Sequence, residues 1–319
     1  MFREMNEFDK YIVHTTGRVI EMSKPRHKSA IRGVLKHDEP MANHTSWRAG
    51  GKAERYFEPA DLDDLRDYIA NMPADEPLLW IGLGSNLLVR DGGIRGTVVA
   101  TNGVLNELEI RQSGQVRVGA GVPCAKVARF CARSGFTGAE FLAGIPGTMG
   151  GALAMKAGAF GMETWDIVTS VEVLNRSGQQ KIRSRNEFEI GYRHVQLTED
   201  EWFIAAELVL QVDKQNIAEQ RIRELLAKRS ATQPTGQLSC GSVFRNPPDD
   251  YAARLIESCG LKGKRIGNAC VSEKHANFII NMGGATANEI EQLIMQIKDV
   301  VMRECNVELA PEVRIVGDA

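Results

Sequence analysis

No apolar run in the chain approaches the roughly 18–20 residues that a membrane-spanning helix needs. The first ten residues, Met1 to Lys10, mix Arg3, Glu4, Glu7, Asp9 and Lys10 and lack the apolar core of a secretory signal. A cytoplasmic protein without membrane attachment is the expectation. A basic surplus is missing too: Lys and Arg number 39 against 41 Asp and Glu, a formal net charge of -2. Coating nucleic acid takes an excess of cations over phosphates, so nucleic acid is not an expected partner. Two or three local cations still suffice for a small anion. Cysteine is sparse, at six residues (Cys124, Cys131, Cys240, Cys259, Cys270 and Cys305), and no two form C-x-x-C. That excludes a zinc knuckle or a thioredoxin-like motif; reduced, buried thiols and no metal site are expected. Internal repeats and low-complexity tracts are absent, which sets aside solenoids and propellers.

What is present is ordinary globular material: 43% hydrophobic and 25% charged residues over 319 positions. At roughly 100–200 residues per domain, this length predicts two or three domains. Residues 1–35 show no convincing period and read as a loosely attached extension. Further on, single helices alternate with short strands, an α+β pattern. Helices are predicted over Ala60–Met72, over Pro123–Ser134 with Pro in the first turn and Gly135 after the last, and over Ala218–Ser230. The clearest helix follows Thr286-Ala287-Asn288-Glu289, a capping box ahead of Ile290, Leu293, Ile294, Ile297, Val300 and Val301 at helical spacing. Strands are predicted at Leu78–Leu83, Val116–Val118, Val168–Leu174, Phe203–Val212 and Glu308–Val316. A break at Asp213–Asn216 suggests a boundary.

Glycine is in surplus, 31 of 319, and it clusters. Gly82-Leu83-Gly84-Ser85-Asn86 ends a strand, where glycines let successive backbone N–H groups converge on an anion. It is not the dinucleotide fingerprint, because Leu87 takes the third glycine position and no helix follows. A second cluster runs through Gly144, Ile145, Gly147, Thr148, Gly150 and Gly151 to Gly161, where missing Cβ atoms admit a flat ligand close to the main chain. On that reading a Cβ on either Gly84 or Gly147 would displace the ligand before it harmed the fold. A third set is dispersed: Tyr192-Arg193, Cys240-Gly241-Ser242 and Pro311-Glu312-Val313-Arg314. Together these offer a cation, a hydroxyl and a carboxylate, suited to proton donation and to stabilising a developing anion.

These segments, with Asn43-His44-Thr45-Ser46-Trp47-Arg48-Ala49-Gly50-Gly51, resemble in order and spacing the UDP-N-acetylenolpyruvoylglucosamine reductase family of bacterial peptidoglycan synthesis. The resemblance runs from about Asn43 to Gly317. It implies two FAD-binding domains of the vanillyl-alcohol-oxidase-like type plus a C-terminal α+β substrate domain. The corresponding boundaries are an extension at 1–35, subdomains at 36–97 and 98–214, and a substrate domain at 215–319, whose last strand is free to return to the FAD-binding part. Only His194 to Glu201 separates the Tyr-Arg motif from the next strand, as in the compact subtype.

The resemblance also implies non-covalent FAD, NADPH as co-substrate and a UDP-sugar enolpyruvate as substrate, with a monomer expected. Arg193, Ser242 and Glu312 carry over as catalytic residues, with Ser242 the proton donor to C2. Arg48, Gly82, Gly84, Ser85, Asn86, Gly144, Ile145, Gly147, Thr148, Gly150 and Gly151 carry over as the FAD contacts. Tyr192, Arg229, Asn246 and His275 are the candidate substrate contacts. Three positions depart from the family pattern: Lys156 replaces an Asn, Val195 a Ser, and Thr235–Leu238 an apolar, Pro-containing stretch. Two rival readings stand beside this one, another FAD-dependent sugar or alcohol oxidoreductase on the same fold and a catalytically silent nucleotide-binding protein.

Overall fold

The computed structural model describes residues 31–191, 194–197 and 200–319. Its first strand, β1 (Val34–Pro40), pairs antiparallel with β2 (Lys52–Glu58). Val34 and Leu35, expected in the extension, are therefore sheet residues; Leu35 is partly buried against Phe57 and its neighbours. Helix α1 (Leu62–Ala70) starts where the Asp61 side chain accepts from the Asp64 N–H, and it buries Leu65 and Ile69. Strands β3 (Leu78–Ile81), β4 (Leu87–Val89) and β5 (Ile94–Ala100) follow. The first sheet has the order β1-β2-β5-β3, with both of the β5 pairings parallel. Strand β4 stands apart and pairs in parallel with the closing strand Arg314–Val316. The end of the chain thus returns to the segment just after the first glycine cluster. The predicted strand from Glu308 begins only at Arg314, because Pro311 cannot donate a ladder hydrogen bond and residues up to Val313 are tied instead to the Val243 loop.

A second, antiparallel sheet joins β6 (Leu108–Ile110) and β7 (Val116–Gly119) to three later strands, Glu201–Leu208, Val168–Asn175 and Gln180–Ser184. Its apolar face is covered by α2 (Cys124–Arg133) and α3 (Met149–Ala154), whose Val127, Cys131, Met149 and Leu153 join one buried cluster with Trp165 and Phe203. Helix α4 (Ala218–Thr232) contributes Ala218 and Ile222 to that same cluster. Packing therefore runs across the expected 214/215 boundary.

The remainder builds a separate core from α5 (Ala252–Ser258), three short strands and α6 (Ala287–Cys305). Trp47 and Leu88 are buried in this C-terminal core although they lie far upstream. The Trp47 indole N–H donates to Ile279 O at 2.7 Å, and Asn281 Nδ2 donates to Trp47 O at 2.7 Å. Among the described residues, no helix is long and apolar enough to cross a membrane.

Candidate active site

Where β3 ends, the chain turns through Gly82–Asn86 into β4, and this turn forms one wall of a cavity of about 470 Å³. Gly144–Thr148, with Gly150 and Gly151 at the start of α3, adjoins this turn and lines the same cavity. Ser242, Glu312 and Arg229 line the same space. Backbone bonds set this arrangement. Glu312 N–H donates to Val243 O at 2.7 Å, Arg314 N–H to Asn86 O at 3.1 Å, and Asn86 Nδ2 to Glu312 O at 3.1 Å. The buried Cys240 thiol donates to Leu87 O at 3.4 Å, which seats the loop carrying Ser242 beneath the first glycine turn. Burial pushes that thiol up to about 12, so it stays a neutral donor.

The main chain here has donors to spare. Among the described residues, the N–H groups of Gly84, Ser85, Gly147 and Thr148 donate to no protein acceptor. Two glycines also leave room in front of them. A Cβ on Gly147 would meet only Ser85 Oγ, at 3.2 Å, and one on Gly151 only Thr148 Oγ1, at 3.9 Å. Protein packing does not require glycine at either position, so the space they leave fits a ligand. Unpaired amides on residues that line the cavity suit a diphosphate. Gly84 differs: its φ is +58° and a Cβ would lie 2.0 Å from His44 O. Gly82 and Gly144 are likewise closed by Thr148 and by the Phe160 ring. The expectation that Gly84 and Gly147 act alike is therefore corrected; Gly84 is glycine because the turn demands it.

Arg229, on the last turn of α4, is half-buried, and its Nε donates to Gln233 Oε1 at 3.0 Å. Among the described residues no carboxylate pairs with it, and burial holds its pKa below the usual arginine value. A cation kept partly dry beside a cavity, without a protein counter-charge, is a ready partner for an anionic ligand.

Several predicted contacts lie elsewhere. Arg48 is exposed, with φ at +54°, and donates to Asn43 O at 2.6 Å; it does not line the cavity. Asn246 also lies off the cavity, where its side chain accepts from Ala252 N–H at the start of α5. His275 packs edge-on to Phe278 and accepts from Asn277 N–H, and burial lowers its pKa, a structural histidine by these contacts. Tyr192 and Arg193 lie outside the described residues. Lys156 takes a left-handed conformation (φ +43°) that Asn adopts more readily, and it pairs with Glu163 at 2.9 Å. Val195 is buried in the core of the second sheet.

Sequence reading missed Trp80 and Trp202, both of which line the cavity. Their rings are stacked with centroids 5.1 Å apart, and the buried Trp80 Nε1 has no partner among the described residues. A tryptophan in a short strand gives no sign of its function, since core packing is its ordinary use.

A glycine-lined cavity with spare amides suits a nucleotide cofactor, and the family match identifies that cofactor: the chain is a flavoprotein oxidoreductase that binds FAD. Residues 53–182 match the FAD binding domain, and residues 233–316 match the C-terminal domain of UDP-N-acetylenolpyruvoylglucosamine reductase. The reductase of that name from Methylococcus capsulatus is 59% identical over 94% of this chain and 99% of its own length. That from Alkalilimnicola ehrlichii is 57% identical over 90% and 96%. The solved reductase of Thermus caldophilus superposes with a TM-score of 0.77 at 30% identity, covering 89% of this chain and 98% of that one. The chain belongs to the UDP-N-acetylenolpyruvoylglucosamine reductase family.

Proposed function

We propose that the chain uses NADPH to reduce the enolpyruvyl ether of UDP-N-acetylglucosamine enolpyruvate to UDP-N-acetylmuramate. The observation that carries this reading is the convergence of both glycine turns, Ser242 and Glu312 on one cavity. The residues present fit FAD: the amides of the Gly84–Ser85 and Gly147–Thr148 turns, which have no acceptor among the described residues, would hold its diphosphate. Bound there, FAD supplies hydride transfer, from NADPH and then to the substrate's C3.

The chain's own residues manage the charge and the proton. Hydride arriving at C3 leaves negative charge on C2 and the adjoining carboxylate. Glu312 stabilises that charge only as an O–H donor or through a shared proton, because an ionised carboxylate would oppose it. Arg193, assigned by the resemblance, supplies the permanent positive charge. Ser242 lies half-buried on the cavity wall and delivers the proton to C2. A serine hydroxyl is a weak acid, so it works only when held within hydrogen-bond reach and resupplied by a relay. Arg229 is assigned to the substrate diphosphate, which its unpaired charge supports.

In this reading residues 36–97 and 98–214 hold the cofactor and 215–319 the substrate. The test is anaerobic. NADPH should bleach the visible absorbance of the purified yellow protein, and the enolpyruvyl substrate should restore it. Bleaching without restoration would favour another oxidoreductase on this fold, and a colourless protein that takes up no FAD would sink the reading.

A further inference from the structure

At the far end of the C-terminal core, two thiols meet. Cys259 follows the last residue of α5 and Cys305 is the last residue of α6, 46 positions apart in sequence, with their Sγ atoms 3.6 Å apart. A disulfide bond is about 2.05 Å long, so the remaining gap is about 1.6 Å. Both side chains are half-buried, whereas Cys124, Cys131, Cys240 and Cys270 are buried. A small oxidant therefore reaches this pair and not the others. The Arg254 guanidinium, held by Asp250 with Nε to Oδ1 at 2.7 Å, exerts its charge on Cys305. Neither sulfur lines the cavity, so the pair is not part of the reduction chemistry.

We propose that Cys259 and Cys305 are a reversible oxidation site that hydrogen peroxide converts to an intramolecular disulfide. The Cys305 thiolate attacks one peroxide oxygen, the O–O bond breaks, and Cys305 becomes a sulfenic acid as hydroxide leaves. The Cys259 thiolate then attacks that sulfur, the S–S bond forms, and the sulfenic oxygen departs as a second hydroxide. The two thiol protons convert the hydroxides to water. Two thiols and one peroxide thus give one disulfide and two waters, the sulfurs losing two electrons and the peroxide gaining them. The product ties the end of α5 to the end of α6, and a dithiol reductant reverses it.

The experiment treats the holoenzyme with hydrogen peroxide, alkylates it with N-ethylmaleimide in denaturant, and maps peptides without reduction. The count of free thiols should fall by two from the six present. A linked peptide pair containing residues 259 and 305 should appear about two mass units lighter than the sum of its reduced parts. Dithiothreitol should restore the full thiol count. Cys259→Ser should stop the reaction at a Cys305 sulfenic acid that dimedone traps; if that variant does not fold, the wild-type peptide map decides alone. The exposed Met295 and Met302 serve as an internal gauge of oxidant delivery. An unchanged thiol count under conditions that already convert those methionines to sulfoxides would overturn the proposal, as would a bridge through any other cysteine.

Discussion

Gly84 and Gly147 border the same cavity, and a side chain meets different obstacles at each. At Gly147 the backbone is not left-handed and only a rotatable Ser85 hydroxyl stands near the missing Cβ. Gly147→Val should fold, melt near the wild-type flavin-free temperature and bind FAD poorly. Gly84→Val must force a β-branched residue to φ +58° with its Cβ on the His44 carbonyl, so fold and flavin should be lost together. Flavin occupancy and thermal melting of the two purified variants check this; equal stability of the two would contradict it. Ser242 allows a sharper separation. If it only protonates C2, Ser242→Ala should be reduced by NADPH nearly as fast as wild type and retain its flavin. Substrate-driven recovery of the visible absorbance should slow by about 10²–10⁴-fold, the usual reach of general acid catalysis. Stopped-flow absorbance resolves the two phases, and equal slowing of both would recast Ser242 as a residue that shapes the pocket. At this scale the sequence singled out Ser242, Glu312 and the two glycine turns, and the structure brings them to one cavity. It was unreadable at Trp80 and Trp202, where a common core residue faces a cavity. Arg48 lies off the cavity, in a segment that Trp47 and Asn281 anchor to the C-terminal core.

Helix α6 shows what makes an element legible. Thr286 Oγ1 accepts from Glu289 N–H at 3.1 Å and the Glu289 carboxylate accepts from Thr286 N–H at 3.2 Å, the reciprocal pair its sequence announced. Its 19 residues carry enough turns for the apolar period to stand out: Ile290, Leu293, Ile294, Ile297 and Val301 are buried, and Val300, at the margin of that face, is partly buried. One support was not readable: Asp91, nearly two hundred residues upstream, accepts from Ala287 N–H and Asn288 N–H. Thr286→Ala should therefore cost about 0.5–2 kcal/mol, a typical N-cap loss. Because Asp91 still satisfies two other first-turn donors, the loss should lie toward the lower end, and Thr286→Ala with Asp91→Ala should cost more than either change alone. Urea midpoints with an unchanged slope measure it. A loss above that range in the single variant would show that the helix packs on its cap. The strands Ala269–Val271 and Ile279–Asn281 were missed for the opposite reason: three residues give no period, and pairing with each other defines them.

The cavity draws its walls from segments around residues 78–87, 144–158, 201–203, 229–242 and 312–314, with Leu197, Thr101, Ala120 and Phe278, so no local stretch of sequence contains it. The α+β class was legible in the alternation of helices and strands, and the order of motifs pointed to the family. The closure of the site was not, because it depends on β4 pairing with the last strand and on Trp47 sitting in a core formed by residues past 240. A ligand that touches every wall binds the folded chain and not the unfolded one, so it should stabilise the whole molecule. One site filled at 100 times its dissociation constant adds about 2.7 kcal/mol. Flavin stripped from the protein should therefore lower the melting temperature, and added free FAD should raise it in proportion to the logarithm of its concentration. Gly147→Val separates this linkage from a structural effect, because its melting temperature should match stripped wild type and barely respond to FAD. Differential scanning calorimetry across an FAD series measures both. If stripped and loaded wild-type protein melted together, the cavity would not be where FAD binds, and the assignment of the two glycine turns would fall with it.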